Sequence, residues 1–205
     1  MAYFAWGINR PGVQDARAAI IQKHWDFIAG YDDKLIARGP LLDDRDVGQV
    51  LGSIHIVELA DSAAFETFVH DEPFAAAGLF AEIVTSRFAP GLARTQFAFQ
   101  SQGDLPRFFI HCPAAPGAAP TPAQADAHAA HCARHDANIV CHGALLADDG
   151  DWQGQAYFVE FPTKDDAARF AAADPYAIAG LYDRVETHRW TMGGPQKLSA
   201  RGALD

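Results

Sequence analysis

The 205 residues carry 26 Asp and Glu against 16 Lys and Arg, a formal net charge of −10, with 49% hydrophobic and 20% charged residues. That composition supports packed cores, in one large domain or two small ones, and excludes the disordered and fibrous classes. An acidic chain without a basic run is a poor partner for nucleic acid or an anionic membrane surface.

In chain order, Tyr3–Ile8 is a short aromatic and β-branched run that reads as a strand. Val13–Ala29 follows with Ala16, Ile20, Trp25 and Ile28 at roughly helical spacing. A short strand then leads into the corner Gly39-Pro40-Leu41-Leu42, and Gly52–Leu59 reads as a longer strand. Asp61-Ser62 is an N-cap signal for a helix over Ala63–His70, and Ala81–Phe88 is the last strand of the series. After a polar linker at 100–106 the same order starts again. Phe108–Cys112 is a strand and Pro122–Ile139 a helix with a tolerated first-turn proline. Gly143-Ala144-Leu145-Leu146 repeats the corner, and Gly154–Phe161 the long strand. Thr163 caps a helix over Asp165–Ala172, and Asp183–Trp190 closes the series.

The second half is therefore a copy of the first. One spacing matches Gly39-Pro40-Leu41-Leu42 to Gly143-Ala144-Leu145-Leu146 and His24 to His128. A spacing shorter by two residues matches Pro73–Phe80 to Pro175–Tyr182, Glu58 to Glu160, Phe68 to Phe170, Arg87 to Arg189 and Phe88 to Trp190. The small deletion falls in the turn-rich 43–50 region, where it costs little. The expected fold class is α+β: tandem ferredoxin-like βαββαβ domains packing as an α/β-barrel pseudo-dimer. The expected boundaries are 1–99 and 107–192, a linker at 100–106, and a tail at 193–205.

Asp174-Pro175-Tyr176-Ala177-Ile178-Ala179-Gly180-Leu181-Tyr182, a first-helix histidine and a Gly-x-Leu-Leu corner together resemble the YciI-like (YCII) family, in both copies and over nearly all of each. The resemblance implies a dimeric α/β-barrel fold. It also implies a cleft in which the first-helix histidine and the aspartate before the Pro-aromatic pair form a catalytic dyad. One branch of the family is a dehydrochlorinase of chlorinated hydroxyhydroquinones. Copy two matches the dyad with His128 and Asp174; copy one matches it with His24 but carries Glu72 before Pro73. A histidine–carboxylate pair suits proton transfer near neutral pH.

The expected function is a cofactor-independent, dehydrochlorinase-like lyase or isomerase acting on a small aromatic or enolisable acid, with His128, Asp174, His24 and Glu72 as its catalytic groups. The alternative is a non-catalytic small-ligand-binding or interaction protein of the dimeric α/β-barrel type. Tyr176 and Phe74 are candidates to line the cleft, and Arg87 and Arg189 to hold an anionic substrate group. Pro73 and Pro175 read as helix terminators, and Gly78 and Gly180 as positions of either a positive φ or close packing before the last strand. No Walker loop, dinucleotide fingerprint or flavin motif occurs, so no organic cofactor is expected. The expected metal is none. His128, His131, Cys132 and His135 share one helix face as an alternative ligand set, to which His111-Cys112 and Cys141-His142 could add. Copy one has Phe27, Ile28 and Tyr31 in place of His131, Cys132 and His135, which gives no support to a recurring family metal. The expected partner is a small molecule, with no nucleic acid or membrane, and the oligomer is either a homodimer or a self-contained pseudo-dimer. Three cysteines, an odd number, and no leader-like pattern in Met1–Arg10 point to the cytoplasm.

Overall fold

The computed structural model describes residues 1–194; the expected tail lies outside the described residues from 195 on. Its contacts gather Met1–Thr85 with the stretch from Thr191 into a first unit, and Ser86–Trp190 into a second.

In the first unit the order is β1 (Ala2–Asn9), α1 (Gln14–Ala29), β2 (Leu35–Leu42), β3 (Val50–Glu58), α2 (Ser62–Asp71), α3 (Pro73–Ala76) and the start of β4 (Phe80–Pro90). The second repeats it with β5 (Arg107–Pro113), α4 (Pro122–Arg134), β6 (Ile139–Leu146), β7 (Trp152–Glu160), α5 (Lys164–Ala172), α6 (Pro175–Ile178) and β8 (Glu186–Trp190). Each unit is thus α+β. β3 lies antiparallel between β1 and β2, and β7 between β5 and β6, while β8 pairs with the other edge of β5. Arg87–Pro90 of β4 pairs with β6 inside the second unit, and Thr191 N–H donates to the Pro40 carbonyl of β2 inside the first. The register shifts fall at matched places, Leu35/Ala37 and Ile139/Cys141, so the second strand of each unit bends alike.

Burial follows period 2 on the strands and roughly 3.6 on the helices. Tyr3, Ala5, Leu35 and Val57 pack under Ile28 of α1 and Phe65 and Phe68 of α2. Phe108, Ile110, Ile139, Tyr157 and Val159 pack under Cys132 of α4 and Ala167, Phe170 and Ala171 of α5. Burying each of the larger side chains stabilises by roughly 1.5–3 kcal/mol. The face away from the helices is buried too, at Phe4, Ile54 and Ile56 and at Phe109 and Phe158.

The caps explain where the helices begin. The Asp61 carboxylate accepts from Ala64 N, and the Thr163 hydroxyl from Asp166 N. Thr121 and Gln124 form a reciprocal capping box before α4, with Pro122 inside its first turn. α4 stops at Arg134 and a 3-10 turn covers 136–138, so the helix is shorter than its pattern predicts. Pro73 and Pro175 do more than terminate: each opens a short helix of its own, because proline needs no N–H partner in a first turn. Both short helices end in a Schellman motif, with Gly78 at φ +67° and Gly180 at φ +69°, as expected. Among the described residues no helix is long and apolar enough to cross a membrane.

Candidate active sites

The two short helices α3 and α6 place the carboxylates. A helix start leaves backbone N–H groups without partners, and an acidic N-cap satisfies them. The Glu72 carboxylate accepts from Phe74 N at 3.0 Å and Ala75 N at 2.9 Å, and Asp174 Oδ1 accepts from Tyr176 N at 3.0 Å. The same carboxylates reach the first helix. His24 Nδ1 lies 2.6 Å from Glu72 Oε1, and His128 Nδ1 lies 3.0 Å from Asp174 Oδ1. The residue after each proline then supplies a platform. Phe74 stacks on His24 at 4.2 Å between ring centroids, and Tyr176 stacks on His128 at 4.3 Å. All four histidine and carboxylate residues are buried. The extra methylene of Glu72 still brings its oxygen to the imidazole.

Burial alone would push both carboxyls up, but the bonds and charge they receive outweigh it. Hydrogen bonding from His24, with the Phe74 N–H, holds Glu72 below the ordinary range. Asp174 is held below its own range by His128, Tyr157 and Tyr182. A carboxylate on Nδ1 fixes that nitrogen as N–H and leaves Nε2 as the available base.

The first histidine lines a cleft of about 470 Å³ within its unit, together with Arg17, Trp25, Arg38, Ser53 and His55. Arg17 donates to Ser53 Oγ at 2.8 Å and Asn9 Oδ1 at 2.9 Å, and its guanidinium carbon sits 3.8 Å over the Phe74 ring. Burial pushes Arg17 down to about 10, against the pull of Glu72, so it stays cationic at neutral pH. Arg38 is buried and paired with Asp32 at 2.9 Å. Burial, reinforced by His24, pushes His55 down to about 3 and keeps it neutral.

His128 lines a cleft of about 410 Å³ in the other unit with Ala125, Ala129, Cys132, His142, Gln155 and Tyr176. Among the described residues no Lys or Arg lines this cleft. Tyr157 and Tyr182 both donate to Asp174 Oδ2, the second at 2.6 Å. Burial pushes both phenols far up, and the nearby Asp174 charge adds to it, so they remain donors. Cys132 Sγ lies 3.7 Å from His128 Nε2 and 3.9 Å from His142 Nδ1.

The structure brings His24 to Glu72 and His128 to Asp174, with Phe74 and Tyr176 against the imidazoles. Of the alternative ligand set it keeps His128 and Cys132 together but sets His131 and His135 apart: both pack on Phe170, on another part of the helix surface. His142 of β6 stands in their place. Arg87 and Arg189 line neither cleft. The Arg87 guanidinium donates to the Asp148 carbonyl, and Arg189 sits on β8 opposite Phe108. Arg17, Arg38, His55 and Tyr157 were not singled out from sequence, and Tyr182 was read only as the end of the family motif. They differ between matched positions (Arg38 against His142, His55 against Tyr157), so repetition gives no signal for them.

The YCII-related domain model matches residues 1–89 and 107–191. No curated protein sequence matches the chain. Among solved structures, a mutant chlorite dismutase from Candidatus Nitrospira defluvii has a TM-score of 0.61 at 11% identity, covering 98% of this chain and 95% of its own. A monooxygenase-like protein from Lactobacillus acidophilus NCFM, named only provisionally as such, has a TM-score of 0.53 at 9% identity, covering 93% and 92%. The 5-chloro-2-hydroxyhydroquinone dehydrochlorinase from Burkholderia phenoliruptrix AC1100, solved with 2,5-dihydroxybenzoquinone, is 28% identical over 43% of this chain and 94% of its own, with a TM-score of 0.40. The first two likenesses are of fold alone, that of the dimeric α/β barrels. With most of its length matched by the family model, the chain belongs to the YCII-related domain family.

Proposed function

We propose that the protein is a cofactor-independent acid/base enzyme, a lyase or isomerase of a small aromatic or enolisable acid. One observation carries the reading: in each unit a cleft-lining first-helix histidine gives Nδ1 to a buried carboxylate. Nε2 of His24 or His128 takes a proton from carbon or from a phenolic hydroxyl of the substrate. The electron pair of the broken C–H or O–H bond moves into an enolate or phenolate oxygen. Glu72 or Asp174 stabilises the imidazolium and does not take its proton. Returning the proton at another atom gives isomerisation. Expelling a leaving group with its electron pair gives elimination, and halide loss is the form that the family resemblance suggests.

In the first unit Arg17 and Arg38 supply the cationic wall that an acid substrate needs, the role expected of Arg87 and Arg189. Phe74 and Tyr176 hold the imidazole planes, and Tyr176 also lines its cleft. The test is turnover of hydroxyquinols, halogenated phenols and enolisable lactone acids by the wild type, His24→Gln, His128→Gln and the double variant. The expected outcome is a loss of about 10²–10⁴-fold in kcat for whichever histidine serves the substrate. Turnover that survives in the double variant overturns the reading. Binding of such an acid without any turnover favours the ligand-binding alternative.

A further inference from the structure

We propose that the cleft of the second unit is a zinc site, with His128 Nε2, Cys132 Sγ and His142 Nδ1 as its three protein ligands. The three residues are buried, all line the cleft, and their ligand atoms lie within 4.8 Å of one another. Zinc takes thiolate sulfur at about 2.3 Å and imidazole nitrogen at about 2.0–2.1 Å, which puts the sulfur and a nitrogen about 3.5–3.8 Å apart at tetrahedral to trigonal angles. The observed separations are 3.7 Å and 3.9 Å. The sulfur thus stands within a few tenths of an ångström of the spacing zinc needs to each nitrogen.

The surroundings hold these ligands in place. His128 gives its other nitrogen to Asp174, the carboxylate–histidine arrangement that orients a metal-binding imidazole. Asp174 is itself held by Tyr157, Tyr182 and Tyr176 N–H. The His142 ring stacks on Tyr157 at 5.7 Å on one side. On another it meets Gly91, where an added Cβ would come within 2.2 Å of it. Cys132 gives its thiol proton to solvent as the S–Zn bond forms. Three protein ligands leave a fourth position facing the cleft, for water or an oxygen of a small acid. The matched positions in the first unit are His24, Ile28 and Arg38, so this site belongs to the second unit alone.

With zinc on His128 Nε2 that nitrogen cannot also take a proton, so in the zinc-loaded protein the acid/base role falls to His24 with Glu72; the test of the site measures binding and not turnover. The reduced, chelator-treated full chain is titrated with zinc, and with cobalt(II) followed by absorption. One equivalent of zinc is expected, and a thiolate-to-cobalt charge-transfer band with intense tetrahedral d–d bands. Cys132→Ile, the residue of the matched position, loses at least 100-fold in affinity and the band, whereas His131→Gln keeps both. Asp174→Asn weakens zinc about 10–100-fold. Failure of the wild type to bind one equivalent, or to give the charge-transfer band, overturns the site, and so does full affinity in a folded Cys132→Ile. Should Cys132→Ile not fold, the wild-type cobalt spectrum decides alone.

Discussion

The two clefts share a frame and differ in their walls. In both, a short helix presents a carboxylate to a first-helix imidazole and an aromatic ring beneath it. The first cleft is walled by two arginines and a neutral histidine, and the second by a thiol and an imidazole, with two phenols held on its carboxylate instead. The lesson is that the frame is set by backbone needs while the walls are free to drift. Glu72 and Asp174 each satisfy helix N–H groups that any replacement would have to satisfy as well.

The largest separation between the units should come from neutralising the carboxylates. Asp174→Asn puts an amide where two phenols and an imidazole now donate to a carboxylate, and it should cost about 3–5 kcal/mol in denaturant unfolding. Glu72→Gln leaves one acceptor oxygen where two now serve an imidazole and two N–H groups, with no phenol involved, and should cost roughly 1–3 kcal/mol. Equal costs would mean that the two tyrosines add nothing to the second frame.

Next in size is the cationic wall. Arg17→Met keeps contact with Phe74 but removes the charge and the bonds to Ser53 and Asn9. Affinity for an anionic ligand of the first cleft should fall about 10-fold or more, by calorimetry, with no change for a ligand of the second. A neutral phenol that binds the first cleft should be nearly indifferent to the change.

The smallest effect expected is on pH dependence. His55 is neutral in the fold down to about pH 3, pushed there chiefly by burial and also by His24, Arg38 and Arg17, against the opposing pull of Glu72. In the unfolded chain it takes a proton near pH 6.5. Between those values the unfolded state holds the extra proton, so stability rises with pH there and is lost as the pH falls through the window. His55→Phe should flatten that part of the stability curve. The matched residue Tyr157 does not titrate in this range, so Tyr157→Phe should leave the slope unchanged. A wild-type curve already flat from pH 6.5 to 4 would contradict the burial of His55.

Much of this was legible in the sequence where two copies agree. The order of elements, the caps at Asp61 and Thr163, and a positive φ as one of two readings of Gly78 and Gly180 all lie in features written twice, whereas the pairing of each histidine with its acid came with the family resemblance. What was missed is what is written once. Arg17 looks like an exposed residue of a polar helix start, and only the fold turns it under onto Phe74. Helical spacing joined His131 and His135 to Cys132, but it cannot say which flank of a helix faces the sheet. His142 reaches Cys132 from β6, a contact between two elements that no local pattern records. The prolines were half-read: a breaker after one helix is also a good first residue for the next.

The segments Glu72–Leu79 and Asp174–Leu181 each carry an acid, a proline, an aromatic and a closing glycine in eight residues. Acid, ring and turn are locked together by the same few backbone bonds, so they can only move as a body. Such a segment is a portable cartridge. Set behind the first helix of another βαββαβ scaffold, it would need only one histidine on that helix to install a fixed tautomer, whatever the new host binds.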